Sequence, residues 1–311
     1  MFEPNLLQPA GTPAKVVTMP FSSTLIRDLN LDRVLDRITR QGYIRDTTEK
    51  YLCAPALDAR TIYYRQAVYK DFVRLNDFVE EIFRVVNKTQ NIETSRRVLW
   101  NQSKINVIEK LKEASNVADS YFEIFEELAE LLKNNKDTFE SEGMIALADR
   151  VCEYAYGDDY KLLKETIKET NTTIEDSRAL KLWVEFGPGL KASMATLCEV
   201  SKNQIVPEGF LSKLFGGKKD DANDFILVKN YQFGIENDLE AVRKEVILHI
   251  AGIITAMTTG MSRFFGDLRT EVSFYMGVAK IIEKAEEIGM PTCFPKVAEE
   301  SQGKCMYAKD L

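Results

Sequence analysis

The hydrophobic positions in the last third of the chain repeat with a helical period. From Leu239 onward, apolar residues recur every three or four positions, and no proline interrupts the run. This pattern predicts an amphipathic helix of roughly 50 residues, about 75 Å long if straight. The stripe consists of Val242, Val246, Ile250, Ile253, Met257, Met261, Phe264, Leu268, Val272, Tyr275, Val278, Ile282, Ala285 and Ile288.

Two interpretations of this stripe remain open. Gly252, Gly260 and Gly266 lie within it and could bend or break a long helix. Two or three ordinary helices of a bundle would therefore produce the same pattern. An unbroken helix of this length is more typical of a lever or a coiled-coil arm than of an enzyme pocket.

Shorter helical stripes occupy the first half of the chain. Residues 1–20 carry four prolines and one glycine, which predict an extended lead-in rather than a helix. Residues 28–38 predict a short helix, and helices are also expected over 141–155, capped by Ser141, and over 159–170. Two longer stripes consist of Tyr64, Val68, Phe72, Leu75, Val79, Ile82 and Val86, and of Ile108, Leu111, Ala114, Ala118, Tyr121, Phe125, Leu128 and Leu132.

The pattern changes from helical to alternating near residue 180. Leu182, Val184 and Phe186 fall on one face of an extended segment, residues 187–189 predict a turn, and 192–200 can return as a second strand. Residues 203–225 are rich in Gly, Pro, Lys and Asp and predict a loop. We therefore expect a β-hairpin inserted into a helical protein.

These elements predict a mainly α fold with long helices and a small inserted β-hairpin. The expected organisation is an extended lead-in over 1–20 and a helical core over 21–180. A hairpin and loop insertion would follow over 181–235, and the long helix with its connection would occupy 236–311.

Composition narrows the class of protein. The chain has 311 residues, a net charge of −7 and a pI of about 5.2, which argue against a dedicated nucleic-acid binder but leave room for local basic patches. The five cysteines form no CxxC pair, and no secretory signal precedes the helices, so we expect a reduced, cytoplasmic protein. The longest apolar run is too short for a membrane span.

The sequence offers few residues for catalysis or metal binding. The single histidine, His249, fits a partly buried helix position better than a catalytic one, and no phosphate-binding or dinucleotide-binding glycine motif is present. Asp220, Asp221 and Asp224 match the DDxxD pattern with which terpene and prenyl synthases hold Mg²⁺. Residues 237–245 approach the second metal motif of such enzymes, but they follow the first motif too closely to lie on a separate helix. The first motif itself falls in a predicted loop rather than on a helix. We predict no catalytic residue and no metal site.

Lys213, Lys218 and Lys219 form a tight basic cluster on the predicted loop. Phosphate contacts need only positive charge and reach, so this cluster is the candidate for contact with a DNA backbone. The aspartates that follow at residues 220, 221 and 224 oppose such a contact. A solvated flexible loop is the alternative interpretation.

Several segments, taken together in order and spacing, resemble the middle region of the MutS family of DNA mismatch repair ATPases. They are residues 28–32, 58–71, 182–190, 271–275, 289–295 and 307–311. The resemblance implies that 21–180 is the core, that 181–235 is a reduced clamp and that 236–311 is the lever. Neither the N-terminal mismatch-reading domain nor the ATPase domain is expected within this chain.

The resemblance also implies that this chain itself catalyses no reaction. The lever would couple the nucleotide state of an ATPase domain in the parent protein, which would use ATP and Mg²⁺, to DNA contact near Lys213, Lys218 and Lys219. The expected partners are double-stranded DNA, bound weakly and without sequence preference, and a second copy in a homodimer, with no membrane.

Two other hypotheses belong to different classes. A helical scaffold would use the 239–288 helix as a partner surface, and Phe264→Glu would then abolish self-association. A diphosphate-using synthase would require Asp220 and Asp221 for Mg²⁺-dependent turnover.

Overall fold

The protein is mainly α-helical, as expected. A computed structural model describes residues 2–11, 22–28, 30–92, 106–175, 181–187, 191–199 and 235–297. The helices are α1 (Ser22–Asp28), α2 (Leu31–Ile38), α3 (Gly42–Leu52), α4 (Ala59–Arg74), α5 (Asn76–Asn87), α6 (Val107–Asn135), α7 (Glu142–Tyr156), α8 (Asp158–Glu175) and α9 (Ile235–Glu287). No helix of these described ranges has the length and hydropathy needed to cross a membrane.

Two strands lie between α8 and α9. Strands β1 (Lys181–Gly187) and β2 (Lys191–Glu199) pair antiparallel, with Val184 opposite Ala195. The pairing register shifts between Glu185 and Phe186. The predicted loop over 203–225 lies outside the described residues.

Helix α9 is a single helix of 53 residues that continues through Gly252, Gly260 and Gly266. A Cβ added at any of these glycines would meet no atom within 4 Å, so helix packing does not require glycine there. At ~1.5 Å per residue, its backbone extends over roughly 80 Å of helical rise. Of the two interpretations of the stripe, the unbroken helix is therefore the one observed.

The buried face of α9 agrees with the predicted stripe in only part of the helix. Met257, Met261, Phe264, Leu268, Val272 and Tyr275 are buried, as the period predicts. Toward the N-terminus, the buried positions are Ile247, Ala251 and Ile254, each one residue after a predicted position. Apolar residues stand side by side at these points, so tertiary packing rather than periodicity selects which one is buried.

The stripe from Tyr64 to Val86 is divided between two helices. At Leu75 the backbone leaves the helical region, with φ −114° and ψ 40°, and α5 begins at the next residue. The stripe residues Phe72 and Val79 on the two sides of the break are both buried, so periodicity alone could not reveal it. The α6 stripe is buried from Leu111 to Leu132, and Ser141 caps α7 by accepting a hydrogen bond from the Met144 N–H at 3.3 Å.

The chain divides into two compact units. Unit 1 contains Met1–Lys88, Glu127–Glu153 and Phe264–Leu311, and unit 2 contains Thr89–Glu126 and Tyr154–Arg263. In unit 2, Phe122 and Tyr160 meet edge to face with centroids 5.3 Å apart, and Lys164 pairs with Glu126 at 2.7 Å. Burial raises the pKa of Tyr160 far above its ordinary value, so its hydroxyl remains a donor and bonds to the Phe122 carbonyl.

In unit 1, the buried carboxylate of Asp71 organises the turn between α6 and α7. It accepts hydrogen bonds from the backbone N–H groups of Glu140 and Ser141, at 3.1 and 2.7 Å, and also contacts Arg74. Charge-assisted bonds to backbone N–H groups are the means by which a buried carboxylate is tolerated. One residue of α4 therefore fixes the start of α7.

Helices α3 and α9 pack closely in unit 1 because Gly277 has no side chain. A Cβ at Gly277 would overlap the side chain of Thr48, whose hydroxyl donates to the Ile44 carbonyl at 2.7 Å. One turn away, the rings of Tyr51 and Phe274 are 5.4 Å apart. The glycine thus permits an approach that any larger residue would prevent.

We expect Gly277→Ala to lower the free energy of unfolding by about 1–3 kcal/mol, because the added methyl group overpacks this contact. The matched control is Gly266→Ala, an exposed glycine on the same helix, which should raise it by about 0.5–1 kcal/mol through helix propensity. Urea denaturation followed by circular dichroism measures both. Equal effects of the two substitutions would contradict the packing role of Gly277.

Candidate functional site

The lysines that the sequence analysis selected for DNA contact lie outside the described residues. This applies to Lys213, Lys218 and Lys219, and also to the aspartates at 220, 221 and 224. Their proposed contact with DNA stays a prediction. Within the part of the chain that the structure describes, no group of three or more His, Cys, Asp or Glu side chains could hold a metal ion.

His249 is exposed on α9, so the expectation that it is partly buried was wrong. The neighbouring Ile247 is buried instead, and Leu248 is 42% exposed. The one-residue shift of the buried face described above accounts for this difference.

Among the described residues of unit 1, a group of polar side chains surrounds residues 2–11, which we call the leading segment. This segment is irregular, as its prolines predicted, and it lies in a cleft lined by α4, α7 and α9. Leu6 is fully buried and Leu7 is 5% exposed. The ring of Phe2 meets that of Phe264 at 5.1 Å.

Side chains of the three helices bond to the backbone of the leading segment. On α9, Tyr275 donates to the Leu6 carbonyl at 2.7 Å, and Glu271, one turn earlier, accepts the Leu6 N–H at 2.8 Å. On α4, Tyr64 donates to the Asn5 carbonyl and Arg65 to the Leu7 carbonyl, both at 2.7 Å.

Arg150 of α7 completes the cleft. Its guanidinium donates to the carbonyls of Glu3 and Pro4, each at 3.2 Å, and lies 5.6 Å from the centre of the Phe2 ring. A guanidinium suits this task because its planar fork presents several donors at once. The cleft therefore holds the irregular backbone of the leading segment through both its N–H and its C=O groups.

Glu271 is the electrostatically unusual residue of this cleft. Removal of its carboxyl group from water raises its pKa from 4.5 to about 8, and the charges of Asp267 and Glu3 raise it further. The bond from the Leu6 N–H and the charge of Arg150 oppose this shift. Near neutral pH the neutral acid is therefore the favoured form, and its carbonyl oxygen can still accept from Leu6.

The tyrosine hydroxyls of the cleft remain donors. Burial raises the pKa of Tyr64 to about 12 and that of the fully buried Tyr275 well above its ordinary value. Both hydroxyls therefore keep their protons over the physiological range. They are therefore able to donate to the backbone carbonyls of the leading segment.

Other residues of α4 contact residues 288–297, which we call the trailing segment. The Tyr63 hydroxyl accepts the Val297 N–H at 2.9 Å and is 3.1 Å from the Val297 carbonyl, and Gln66 donates to the Pro295 carbonyl at 3.0 Å. The ring of Phe294 lies 5.7 Å from that of Tyr69. Helix α4 therefore carries contacts to both segments.

Sequence reasoning recognised several of these residues, but for other reasons. Tyr64 and Tyr275 were placed in apolar stripes, and Arg65, Gln66 and Glu271 lay in segments that carried the family resemblance. No motif or hydrophobic pattern in the sequence distinguished Arg150 from other residues of its helix. The proline-rich lead-in indicated an extended segment, but no sequence pattern indicated which helices would hold it.

Comparison with known proteins identifies the family. The sequence-family model of the MutS2 N-terminal domain matches residues 57–288 of this chain. Because this match covers most of the chain, the protein belongs to the MutS2 N-terminal domain family, and the resemblance to the MutS family is confirmed at that level. No curated protein and no solved structure matches the chain significantly.

We expect the stability of the protein to fall as pH rises from about 5 to about 8, with Glu271 as one cause. The folded chain keeps the Glu271 proton up to a pKa of about 8, whereas the unfolded chain loses it near 4.5. The folded state thus binds more protons between these values, so the stabilisation is complete below the lower pKa and is lost toward the upper one.

Glu271→Gln, which mimics the neutral acid, should remove this contribution and be more stable than the wild type at about pH 8 by on the order of 1–3 kcal/mol. Urea titrations at several pH values provide the measurement. The control is Glu283→Gln, at an exposed position of α9, in which the free energy of unfolding should vary with pH as in the wild type. If Glu271→Gln also showed the wild-type dependence on pH, Glu271 would not be the group with the raised pKa.

Proposed function

We propose that this chain is the core and lever module of a MutS2-type DNA-transaction ATPase. In this proposal, α9 couples the nucleotide state of an ATPase domain, carried elsewhere in a longer gene product, to contact with double-stranded DNA. The chain itself has no catalytic role. ATP and Mg²⁺ would be bound by the ATPase domain, and the parent protein would act as a homodimer.

The unbroken length of α9 is the observation that carries this proposal. Residues 235–263 of the helix belong to unit 2, and residues 264–287 belong to unit 1. A continuous hydrogen-bonded helix moves as a body, and packed interfaces shift between discrete arrangements rather than deforming gradually. Such an element suits the transmission of a conformational change over a long distance.

The contacts at the end of α9 also support the proposal. Phe274 and Tyr275 pack against Tyr51 of α3 and Phe72 of α4, with ring centroids 5.4 and 4.8 Å apart. The trailing segment then contacts α4. A domain joined after the trailing segment would thus follow a stretch of chain that itself contacts α4.

The DNA contact in this proposal lies in the 181–235 insertion, with Lys213, Lys218 and Lys219 as the phosphate contacts. The family match includes this insertion. Three lysines would give binding that is weak, independent of sequence and sensitive to salt.

The scaffold hypothesis is less well supported, because the chain itself buries the middle of the stripe on which it relied. Phe264 is 2% exposed, and Met261, Leu268 and Val272 are equally inaccessible. Phe264→Glu would therefore disrupt the core of unit 1 rather than test self-association. A partner surface on α9 would have to use other residues.

We expect the purified chain to bind duplex DNA at low salt, with the charge reversals Lys213→Glu, Lys218→Glu and Lys219→Glu together abolishing binding. In the wild type these lysines should contribute about 2–3 to the slope of log affinity against log salt. Fluorescence anisotropy with a labelled duplex measures both quantities.

The matched control reverses three exposed lysines elsewhere, Lys110, Lys161 and Lys296, and so changes the net charge equally. This variant should retain most of the binding. Equal losses in the two variants would show that net charge rather than the predicted cluster attracts DNA. The absence of any binding by the wild type would remove the DNA role from this chain.

For the coupling role, we expect Gly260→Pro in the ATPase-bearing gene product to uncouple DNA binding from ATP hydrolysis. Proline inside a helix costs about 3 kcal/mol and interrupts its hydrogen bonding. Stimulation of ATP hydrolysis by DNA should fall by about tenfold, within the usual range of coupling energies, while basal hydrolysis persists. The control is Gly260→Ala, for which there is open space; this variant should keep the stimulation by DNA. Stimulation that also persisted in Gly260→Pro would contradict the lever role.

A further inference from the structure

Three glycines of α9 have no role in packing. A Cβ added at Gly252, Gly260 or Gly266 would meet no atom within 4 Å, whereas a Cβ at Gly277 would overlap Thr48. Each glycine weakens a helix relative to alanine, because it leaves the backbone more conformational freedom. Alanine would therefore fit at all three positions and make the helix stiffer. Close packing explains Gly277, but the other three glycines require a different explanation.

Threonine hydroxyls bond to the backbone of the same stretch of α9. Thr255 donates to the Ala251 carbonyl at 2.7 Å, and Thr259 donates to the Thr255 carbonyl at 2.7 Å. Thr258 also donates to the Thr255 carbonyl, at 3.0 Å. Hydroxyls in this position share the carbonyl with the helical N–H group and often bend helices. A carbonyl that already accepts a hydroxyl is not left unpaired when its helical bond lengthens.

These features lie where α9 passes from one compact unit to the other. Residues 235–263 belong to unit 2 and residues 264–287 to unit 1, so Gly260 and Gly266 stand on opposite sides of the boundary. Helix α6 also continues from one unit to the other, between Glu126 and Glu127, but it contains neither glycine nor proline. Helix α6 is therefore a natural reference for a helix that crosses the boundary without such residues.

We propose that residues 252–266 of α9 form a hinge, at which the axis of the helix bends while the helices on both sides of the hinge remain intact. Residues 235–251 and residues 267–287 are then two arms, and each arm moves as a body. The hinge concerns the mechanics of α9 alone, so it stands whether or not the chain contacts DNA. In the function proposed above, it would make α9 a lever with two arms.

The distance between two spin labels on α9 tests the hinge in the full chain. The labels are attached to unnatural ketone-bearing residues at positions 249 and 283, both exposed, so that the native cysteines remain unchanged. They are separated by roughly 50 Å of helical rise. A reference pair at positions 110 and 134, exposed on α6, reports the width that motion of the labels alone produces. Double electron–electron resonance measures both distance distributions.

We expect the α9 pair to give a distance distribution about twofold broader than that of the α6 pair, because glycine permits the helix to bend. The combined substitution Gly252→Ala, Gly260→Ala and Gly266→Ala should narrow it to the width found on α6. The open space at each position admits the added methyl groups. Gly260→Ala alone leaves two of the three glycines and should narrow the distribution only in part. The α6 distribution should be the same in every variant.

Two results would overturn the proposal. A wild-type distribution on α9 as narrow as that on α6 would show that α9 is stiff over its whole length. A broad distribution that the three alanines leave unchanged would place the motion outside the glycine-bearing stretch. Circular dichroism of the triple variant, which should show at least the wild-type helix content, excludes loss of the fold as the cause of any change.

Discussion

The close approach of α9 to α3 and α4 is the constraint on which unit 1 depends. Gly277 lets α9 reach Thr48 of α3, and Tyr275 then lies against Phe72 of α4 with 4.8 Å between the ring centroids. From that position the Tyr275 hydroxyl reaches the Leu6 carbonyl. Helix packing and the cleft for the leading segment therefore share one origin. The residues that complete the core of unit 1 are also those that position the backbone of the leading segment.

The sequence predicted which segments are helical more accurately than it predicted where the helices begin and end and which face they bury. The α6 stripe was correct because the buried face of this helix is wide: Phe122 and Ala129 are buried beside the predicted Tyr121 and Leu128. In α9 the buried residues Ile247 and Ala251 are instead the neighbours of the predicted ones. The break at Leu75 was not predicted, because the apolar period continues across it. Continuity through Gly252, Gly260 and Gly266 could not be derived either, since glycine lowers helix propensity without forbidding a helix whose other residues are packed.

The cleft was predicted less well than the fold, for a physical reason. Its hydrogen bonds join side chains to backbone groups, and a backbone acceptor leaves no mark in the sequence. Glu271 shows this most clearly: its raised pKa comes from burial created by residues far away in the chain. The family resemblance pointed to the 58–71 and 271–275 segments without indicating their role. Basic residues could be selected as DNA contacts from charge alone, and Lys213, Lys218 and Lys219 lie beyond the described residues.

Helix α4 contacts the leading segment with Tyr64 and Arg65 and the trailing segment with Tyr63 and Gln66. These four residues are consecutive, so a single turn of α4 fixes the backbone of both segments. The Tyr63 hydroxyl bonds to Val297, and the hydroxyl of the next residue, Tyr64, bonds to the Asn5 carbonyl. The placement of the leading segment and that of the trailing segment are therefore set by the same few residues of one helix.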